Sequence, residues 1–330
     1  QEIEKNIFPS WSIDSDSFKD YQQLEQEVLA KGISTLVIQF NYGLFNFPKF
    51  SDFIEKMIAS HINVIVFMHA TIDPPNTPLK RLDLLKDAFN RCQRVFVHTI
   101  DDLNRLKDIG LIKNVSLFPH GILDFENKNY NNISKNNIKN KDNTKKISTF
   151  GFCLPNKGFR ELIQAIKFLK DQNFQVNLQI LAAIYDEGSY EFYKELQLLI
   201  HDLSLENIVY IDNEYKNDED ILTELSKNDL IIFPYQASNE SSSASVRHGL
   251  ATSKPVLVTP INIFNDVSSI VDFLPGCTSE DIANGIYNWF EKDQKNLISD
   301  KSHIIDKRRF SKLSNRLLSI IESLEINSSI

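Results

Sequence analysis

The feature that most constrains the fold of this chain is a regular alternation of short β-branched runs with helical patterns. In the first block the apolar runs are TLVIQF (35–40), NVIVFMH (63–69), RVFVHT (94–99) and VSLFPH (115–120). Helical patterns accompany them at 17–31, 48–60, 79–92 and 100–109. Strands that alternate with single helices pair in parallel through crossovers, and near-continuous apolar strands are covered on both faces. This block predicts an α/β domain.

A second block repeats the alternation. Its strands are STFGF (148–152), VNLQILAA (176–183), IVYID (208–212), LIIFPY (230–235) and PVLVTP (255–260). Helices are predicted at 188–204, 218–228, 242–252, 279–296 and, in the tail, 306–325. In the helix after the first of these strands, one apolar stripe comprises Phe159, Leu162, Ile163, Ile166 and Leu169. The whole chain is therefore predicted to be α/β, with two doubly wound domains and a ligand cleft between the carboxyl ends of their strands.

The segment between the blocks is almost entirely Asn and Lys and cannot form a core. We predict a first domain over 1–126, a solvated linker over 127–146 and a second domain over 147–302. The remaining residues, 303–330, are predicted to be a C-terminal helix, and whether it crosses back to the first domain stays open.

Composition excludes several classes of protein. The net charge of −8 argues against a nucleic-acid-binding surface. No apolar run approaches the roughly 20 residues of a membrane span, and the first residues do not have the pattern of a signal peptide. The cysteines, Cys92, Cys153 and Cys277, are too widely spaced for a metal motif or a disulfide framework. We therefore expect a cytoplasmic protein, with a peripheral association at the inner face of the membrane left open.

A loop rich in serine suggests a phosphate site. Four serines fall within residues 241–245, just ahead of the predicted helix at 242–252. Serine side chains cap helices, and the free N–H groups of a helix start bind anions. The backbone of Ser241, Ser242, Ser243 and Ala244 is therefore a candidate phosphate cradle. The alternative is that these serines only start the helix.

Two charged residues extend this hypothesis. Lys157 follows a strand-end turn, LPNKG, from which its ammonium could reach a diphosphate. The alternative is an exposed lysine in the first turn of a helix, where the dipole slightly disfavours it. Glu240 is the acidic residue of an otherwise uncharged loop, and its alternative role is a helix cap.

Three stretches of the second block resemble the C-terminal domain of the retaining nucleotide-sugar glycosyltransferases of family 4. The family's strand, Gly-rich turn and Lys-Gly helix start resemble GFCLPNKGFRELIQAI (151–166). Its strand ending in Pro before a Glu resembles LIIFPYQASNE (230–240), and its Glu-initiated loop, helix and Pro-Val strand resemble residues 240–260. The first block adds similar stretches at 38–45, 65–75 and 117–122. The resemblance covers about residues 33–295.

The resemblance implies the GT-B architecture, which has two Rossmann-like domains. It implies transfer of a sugar from a nucleotide-diphosphate sugar to a glycan or glycolipid acceptor, of the kind found in bacterial polysaccharide biosynthesis, with retention of configuration. It implies no metal and no cofactor beyond the sugar nucleotide. The resemblance also suggests catalytic roles for His69, Glu240 and Lys157. The donor-binding residues would be Gly151, Lys157, Glu240, Ser241, Ser242, Ser243, Ala244, Arg247 and His248, and the acceptor-binding residues Asn41, Tyr42 and Gly43.

The chain departs from the family pattern at several positions. Phe152 stands where an arginine usually binds the diphosphate, and His248 stands where a second glutamate usually holds the ribose. Arg247, next to it, could replace the missing positive charge. The family's first strand and glycine-rich loop have no counterpart, so the chain could be a fragment of a longer protein. These departures keep open a non-catalytic GT-B module that binds a sugar nucleotide or a partner protein. A nucleotide-sugar epimerase is a third alternative, for which no clear set of acid and base residues is found.

Overall fold

The structure is a computed structural model that describes residues 17–126, 144–238, 240–292 and 298–328. These residues divide into two compact units, one of 17–119 with 319–328 and the other of the described residues within 120–318. Most of the predicted linker lies outside the described residues, and Lys145 and Lys146 already belong to a strand. No helix among the described residues combines the length and apolar character that a bilayer crossing requires.

The described residues of the first unit form a parallel four-stranded sheet in the order β1-β2-β3-β4. The strands are β1 (Thr35–Phe40), β2 (Asn63–Met68), β3 (Arg94–Val97) and β4 (Val115–Leu117). The helices are Phe18–Ala30, Phe47–Ala59, Lys86–Arg91 and Ile100–Asp108. All four predicted strands are confirmed. At the centre of the core, the buried ring of Phe40 contacts five other aromatic rings.

The predicted helix over 79–92 is wrong in its first half. Residues Pro78–Lys80 and Leu82–Leu85 form 3₁₀ turns, and an α-helix begins only at Lys86. Two side-chain interactions hold the turns. The backbone N–H of Leu82 donates to the carboxylate of Asp73 at 2.9 Å, and Lys80 donates to the carbonyl oxygen of Tyr42 at 2.9 Å. These long-range bonds replace the local bonds that a helix would make.

The described residues of the second unit form a parallel six-stranded sheet in the order β10-β9-β8-β5-β6-β7. The strands are β5 (Lys145–Phe152), β6 (Val176–Ala183), β7 (Val209–Asp212), β8 (Leu230–Phe233), β9 (Val256–Val258) and β10 (Asp272–Phe273). The helices are Phe159–Asp171, Glu187–Asp202, Asp218–Ser226, Ala244–Ala251, Ser279–Glu291 and Ile298–Lys307. The helix Phe310–Ser328 begins in this unit, and its residues from 319 onward belong to the first unit. The stripe from Phe159 to Leu169 is fully buried, as predicted.

The predicted tail helix over 306–325 is two helices with a break at 308–309. At the break the chain pairs with a distant segment. The backbone N–H of Ile122 donates to the carbonyl oxygen of Arg308, and that of Phe310 donates to the carbonyl oxygen of Ile122, each at 2.8 Å. A continuous helix would use these groups internally, so the pairing interrupts it.

The strand order of the second sheet reverses direction between β5 and β8. From β5 the chain adds β6 and β7 on one side, and from β8 it adds β9 and β10 on the other. In open parallel sheets, ligands bind beyond the carboxyl ends of the strands at such a switch point. The loops that follow β5 and β8 therefore define where the candidate site is built.

Candidate functional site

The turn after β5 and the loop after β8 are packed directly against each other. Gly158 has a left-handed backbone conformation with a φ of 73°, and a Cβ at this position would overlap the carbonyl oxygen of Pro234. The backbone N–H of Gln236 donates to the carbonyl oxygen of Asn156 at 3.0 Å. Only glycine permits both this conformation and this approach. The packing fixes the position of Lys157, which immediately precedes Gly158.

Lys157 lies close to the start of the helix Ala244–Ala251. Its Nζ is 4.1 Å from the centre of the buried Tyr235 ring. Its Cδ and Cε are each 3.8 Å from the point where a Cβ of Gly151 would lie, and Oγ of Ser245 is 3.6 Å from the same point. The Lys157 side chain and the first turn of the helix therefore both lie beside Gly151. The structure brings together Gly151, Lys157 and the serine loop.

The serine loop, residues 241–245, both caps the helix Ala244–Ala251 and lines this site. Oγ of Ser243 accepts from the backbone N–H of Val246 at 3.3 Å and donates to the hydroxyl of Tyr235 at 3.3 Å. Ser241, Ser242 and Ser243 are buried, whereas Ala244 is exposed. The interpretation that these serines start the helix is therefore confirmed for Ser243. An ammonium beside a helix N-terminus is a combination that attracts phosphate groups.

Glu240 is exposed on the same loop, and its backbone N–H donates to Oγ of Ser238 at 3.1 Å. Because Ser243 is the capping residue, the alternative that Glu240 caps the helix is wrong. Its carboxylate lies on the loop that precedes the helix start, where it could accept hydrogen bonds from ligand hydroxyl groups.

The structure contradicts the suggestion that Arg247 supplies a positive charge to a diphosphate. The side chain is 2% exposed, and its guanidinium pairs with the buried Asp266 and donates to the carbonyl oxygen of Ser243. An arginine held in a buried ion pair cannot also extend to a surface ligand, because separating the pair would leave Asp266 uncompensated. The Arg247 side chain therefore stabilises the serine loop through its hydrogen bond to the Ser243 carbonyl oxygen.

His248 is held by a carboxylate. Its Nε2 is 2.9 Å from Oδ1 of Asp218, and its Nδ1 is 3.3 Å from the carbonyl oxygen of Ala244. Its ring centre lies 4.7 Å from that of Phe150 on β5. The histidine therefore lies beside β5, one helical turn after the serine loop, in a fixed orientation.

In the first unit, His69 directly follows β2 and is half-buried. Its Nε2 is 2.7 Å from Oε1 of Gln39, and its Nδ1 is 3.3 Å from Nε2 of His98. Nδ1 of His98 is 3.0 Å from the carbonyl oxygen of Phe118. A carbonyl oxygen only accepts, so this nitrogen of His98 carries a proton. Neighbouring side chains therefore set the orientation of the His69 ring.

His98 is a partner of His69 that the sequence interpretation did not single out. The register of β2 and β3 pairs Phe67 with Phe96. Two residues further along each strand, the same register places the two histidines side by side. The signal was present in the sequence as a histidine directly after each of two successive strands.

The predicted acceptor loop contains residues with different environments. Tyr42 is buried, and its hydroxyl donates to Oδ1 of Asp73 at 3.0 Å. Burial, followed by the charge of Asp73, raises the pKa of Tyr42 above its ordinary value. Gly43 is exposed, with no atom within 4 Å of the position that a Cβ would occupy, and Asn41 is half-buried. Tyr42 therefore has a structural part in this loop, while Asn41 and Gly43 lie at its surface.

Comparisons with known proteins identify the fold. No protein-family model matches the sequence, and no curated protein matches it. Among solved structures, HepE from Anabaena in complex with UDP is similar with a TM-score of 0.73 and 15% identity, over 92% of this chain and 82% of that chain. An α,α-trehalose-phosphate synthase (UDP-forming) from Burkholderia vietnamiensis has a TM-score of 0.72 and 8% identity, over 95% and 78%. A glycosyltransferase from Rickettsia africae has a TM-score of 0.71 and 14% identity, over 95% and 84%. The chain thus has the α/β fold of GT-B glycosyltransferases, with two parallel-sheet units.

Proposed function

We propose that this chain is a glycosyltransferase that moves a sugar from a nucleotide-diphosphate sugar to a glycan or glycolipid acceptor. One observation carries the proposal. Lys157 and the start of the helix Ala244–Ala251 come together at the switch point of the second sheet, around Gly151 and Tyr235. A site of this kind is suited to a diphosphate.

The chemistry follows from where charge develops. When the bond between the sugar and the diphosphate breaks, negative charge grows on the leaving phosphate. The Lys157 ammonium and the N–H groups at the helix start would stabilise that charge more in the transition state than in the ground state. Glu240 would accept hydrogen bonds from the sugar hydroxyls, and His69 would act near the anomeric carbon. We propose retention of configuration and no metal requirement, as in family 4.

The similar structures guide the choice of donor. HepE has been crystallised with UDP-glucose, and the trehalose-phosphate synthase is described as UDP-forming. We therefore propose a UDP-sugar as the first donor to test, with the second unit binding the donor and the first unit binding the acceptor. We also propose a bacterial enzyme that acts in the cytoplasm.

The test measures donor binding by calorimetry and product formation by mass spectrometry, with a panel of nucleotide sugars. We expect Lys157→Ala to weaken binding of the preferred donor by about 10- to 100-fold, because a charge-assisted hydrogen bond is lost. Lys194→Ala is the matched control, since this exposed lysine contacts Glu191 and the Tyr190 ring on its own helix. Absence of binding to every donor would refute the proposal.

Binding without transfer or slow hydrolysis would favour the alternative, a non-catalytic GT-B module. Two observations favour that alternative. Phe152 ends β5 at the position where the family that the chain resembles usually has an arginine, and the Arg247 side chain is held in a buried ion pair. The combined binding and product assay separates the two functions.

A further inference from the structure

Exposed aromatic side chains are concentrated at the carboxyl ends of three neighbouring strands in the second unit. Phe152 ends β5 and is 43% exposed, Tyr185 follows β6 and is 68% exposed, and Tyr215 follows β7 and is 81% exposed. A cluster of large, solvent-exposed apolar side chains at the ligand-binding edge of a sheet usually marks a surface that contacts a ligand.

Two of these rings form a defined pair. The ring centres of Phe152 and Tyr185 are 5.4 Å apart, and the ring planes make an angle of 60°. The backbone of Tyr185 is fixed, because its N–H donates to Oγ of Ser189 at 2.7 Å at the start of the helix Glu187–Asp202. The N–H of Ile184 donates to the carbonyl oxygen of Asn213 at 3.3 Å, which joins this loop to the one that carries Tyr215. The pair is thus held by the fold while its rings stay accessible.

The aromatic pair and the candidate phosphate site lie at the same end of β5. Gly151, which Lys157 passes, directly precedes Phe152. Side chains alternate along a strand, so Phe150 and Phe152 lie on one face of β5 and position 151, beside Lys157, lies on the other. Phe150 contacts the His248 ring on that face. A nucleotide with its phosphates beside Lys157 would extend across the end of β5 to reach the aromatic pair.

We propose that Phe152 and Tyr185 form a stacking surface for the nucleobase of the sugar nucleotide. This inference rests on the proposed function. A nucleotide has one planar, aromatic part, and stacking on a side chain contributes strongly to its binding. Phe152 stands where the family that the chain resembles usually has a diphosphate-binding arginine, and the proposal assigns that position to the base instead of the phosphates.

The experiment compares UDP with inorganic pyrophosphate as calorimetric probes of the full chain. We expect Phe152→Ala and Tyr185→Ala each to weaken UDP binding by about 5- to 100-fold. Both variants should leave pyrophosphate binding unchanged within about twofold. Lys157→Ala should weaken both ligands. Phe152→Trp should retain UDP affinity, and its added fluorescence should be quenched when UDP binds.

Tyr287→Ala is the matched control. Tyr287 is 40% exposed and forms a similar edge-on pair with Phe174, 5.7 Å between ring centres, at a place remote in sequence from the strand ends. This variant should bind UDP like the wild type.

The outcomes separate the two proposals. If the wild type binds no nucleotide, the proposed function fails. If UDP binds and neither aromatic variant changes its affinity, the stacking surface is refuted while the proposed function stands. Equal losses for UDP and pyrophosphate in the aromatic variants would also overturn the inference, because they would indicate a damaged phosphate site.

Stacking does not read the hydrogen-bonding edge of a base. We therefore expect the dissociation constants of UDP, GDP and dTDP to agree within about 30-fold. A larger preference would show edge recognition and would overturn stacking as the main source of base affinity.

Discussion

At the scale of single residues, sequence patterns identify candidate site residues, and the structure shows which other side chains they contact. His69 is placed between Gln39 and His98, whereas Arg247 is buried against Asp266. Both residue types can bind phosphate or sugar, so their chemistry alone does not separate them. Their surroundings do, because a half-buried ring at a strand end remains accessible to a ligand and a buried ion pair does not.

His69 provides the prediction at this scale. We expect His69→Ala to lower kcat by about 10²- to 10⁴-fold, the range typical for loss of an acid–base or polarising side chain. Donor affinity should change by less than about threefold, since the diphosphate site lies on other residues. Steady-state kinetics together with calorimetry measures the two effects. His201→Ala, at an exposed position paired with Glu206, should leave both unchanged, and an unaltered kcat in His69→Ala would make His69 structural.

At the scale of elements, the candidate site depends on how closely the turn after β5 approaches the loop after β8. The approach requires glycine at position 158, because of both its positive φ and the nearby carbonyl oxygen of Pro234. The position of Lys157 follows from that turn. The geometry of the phosphate site is therefore a property of two packed loops.

We predict that Gly158→Ala destabilises the second unit by more than about 3 kcal/mol, because left-handed strain adds to steric overlap. Chemical denaturation followed by circular dichroism measures the effect. Gly32→Ala is the control, since Gly32 has a φ of 62° with no atom within 4 Å of its Cβ position. It should cost only about 1–2 kcal/mol. Equal costs for the two variants would show that the turn relaxes away from Pro234.

At the scale of the whole molecule, residues far apart in sequence complete the second unit. The segment around Ile122 pairs with residues 308–310 at the break between the last two helices. The carboxylate of Asp124 accepts from the N–H and the hydroxyl of Ser311, at 2.8 and 2.7 Å. Phe310 packs over Gly121, where any Cβ would collide with its ring. The contacts at the break thus join the first residues of the second unit, 121–124, to residues 308–311 near its end.

Asp124→Ala tests this connection. The variant removes the acceptor of two hydrogen bonds, including the one to the first-turn N–H of the last helix. We expect a loss of about 1–2 kcal/mol in the free energy of unfolding of the second unit. Asp202→Ala, at an exposed helix end, should change stability by less than about 0.5 kcal/mol. An equal effect of both substitutions would contradict the connection.

The sequence by itself determined the fold class and the positions of β1 to β9, but it did not indicate the two-residue strand β10. Periodic apolar runs are local signals, and the burial of both faces of a parallel sheet makes them strong. It also indicated the serine loop and Lys157, since helix starts and strand-end turns have local signatures.

Only the tertiary structure decided which of these side chains meet. The 3₁₀ turns over 78–85, the break at 308–309 and the burial of Arg247 all arise from bonds between distant segments. The pairs His69–His98 and Phe152–Tyr185 likewise depend on the register and order of neighbouring strands. Local preferences cannot encode such contacts, because each is fixed by the packing of elements that are separate in the sequence.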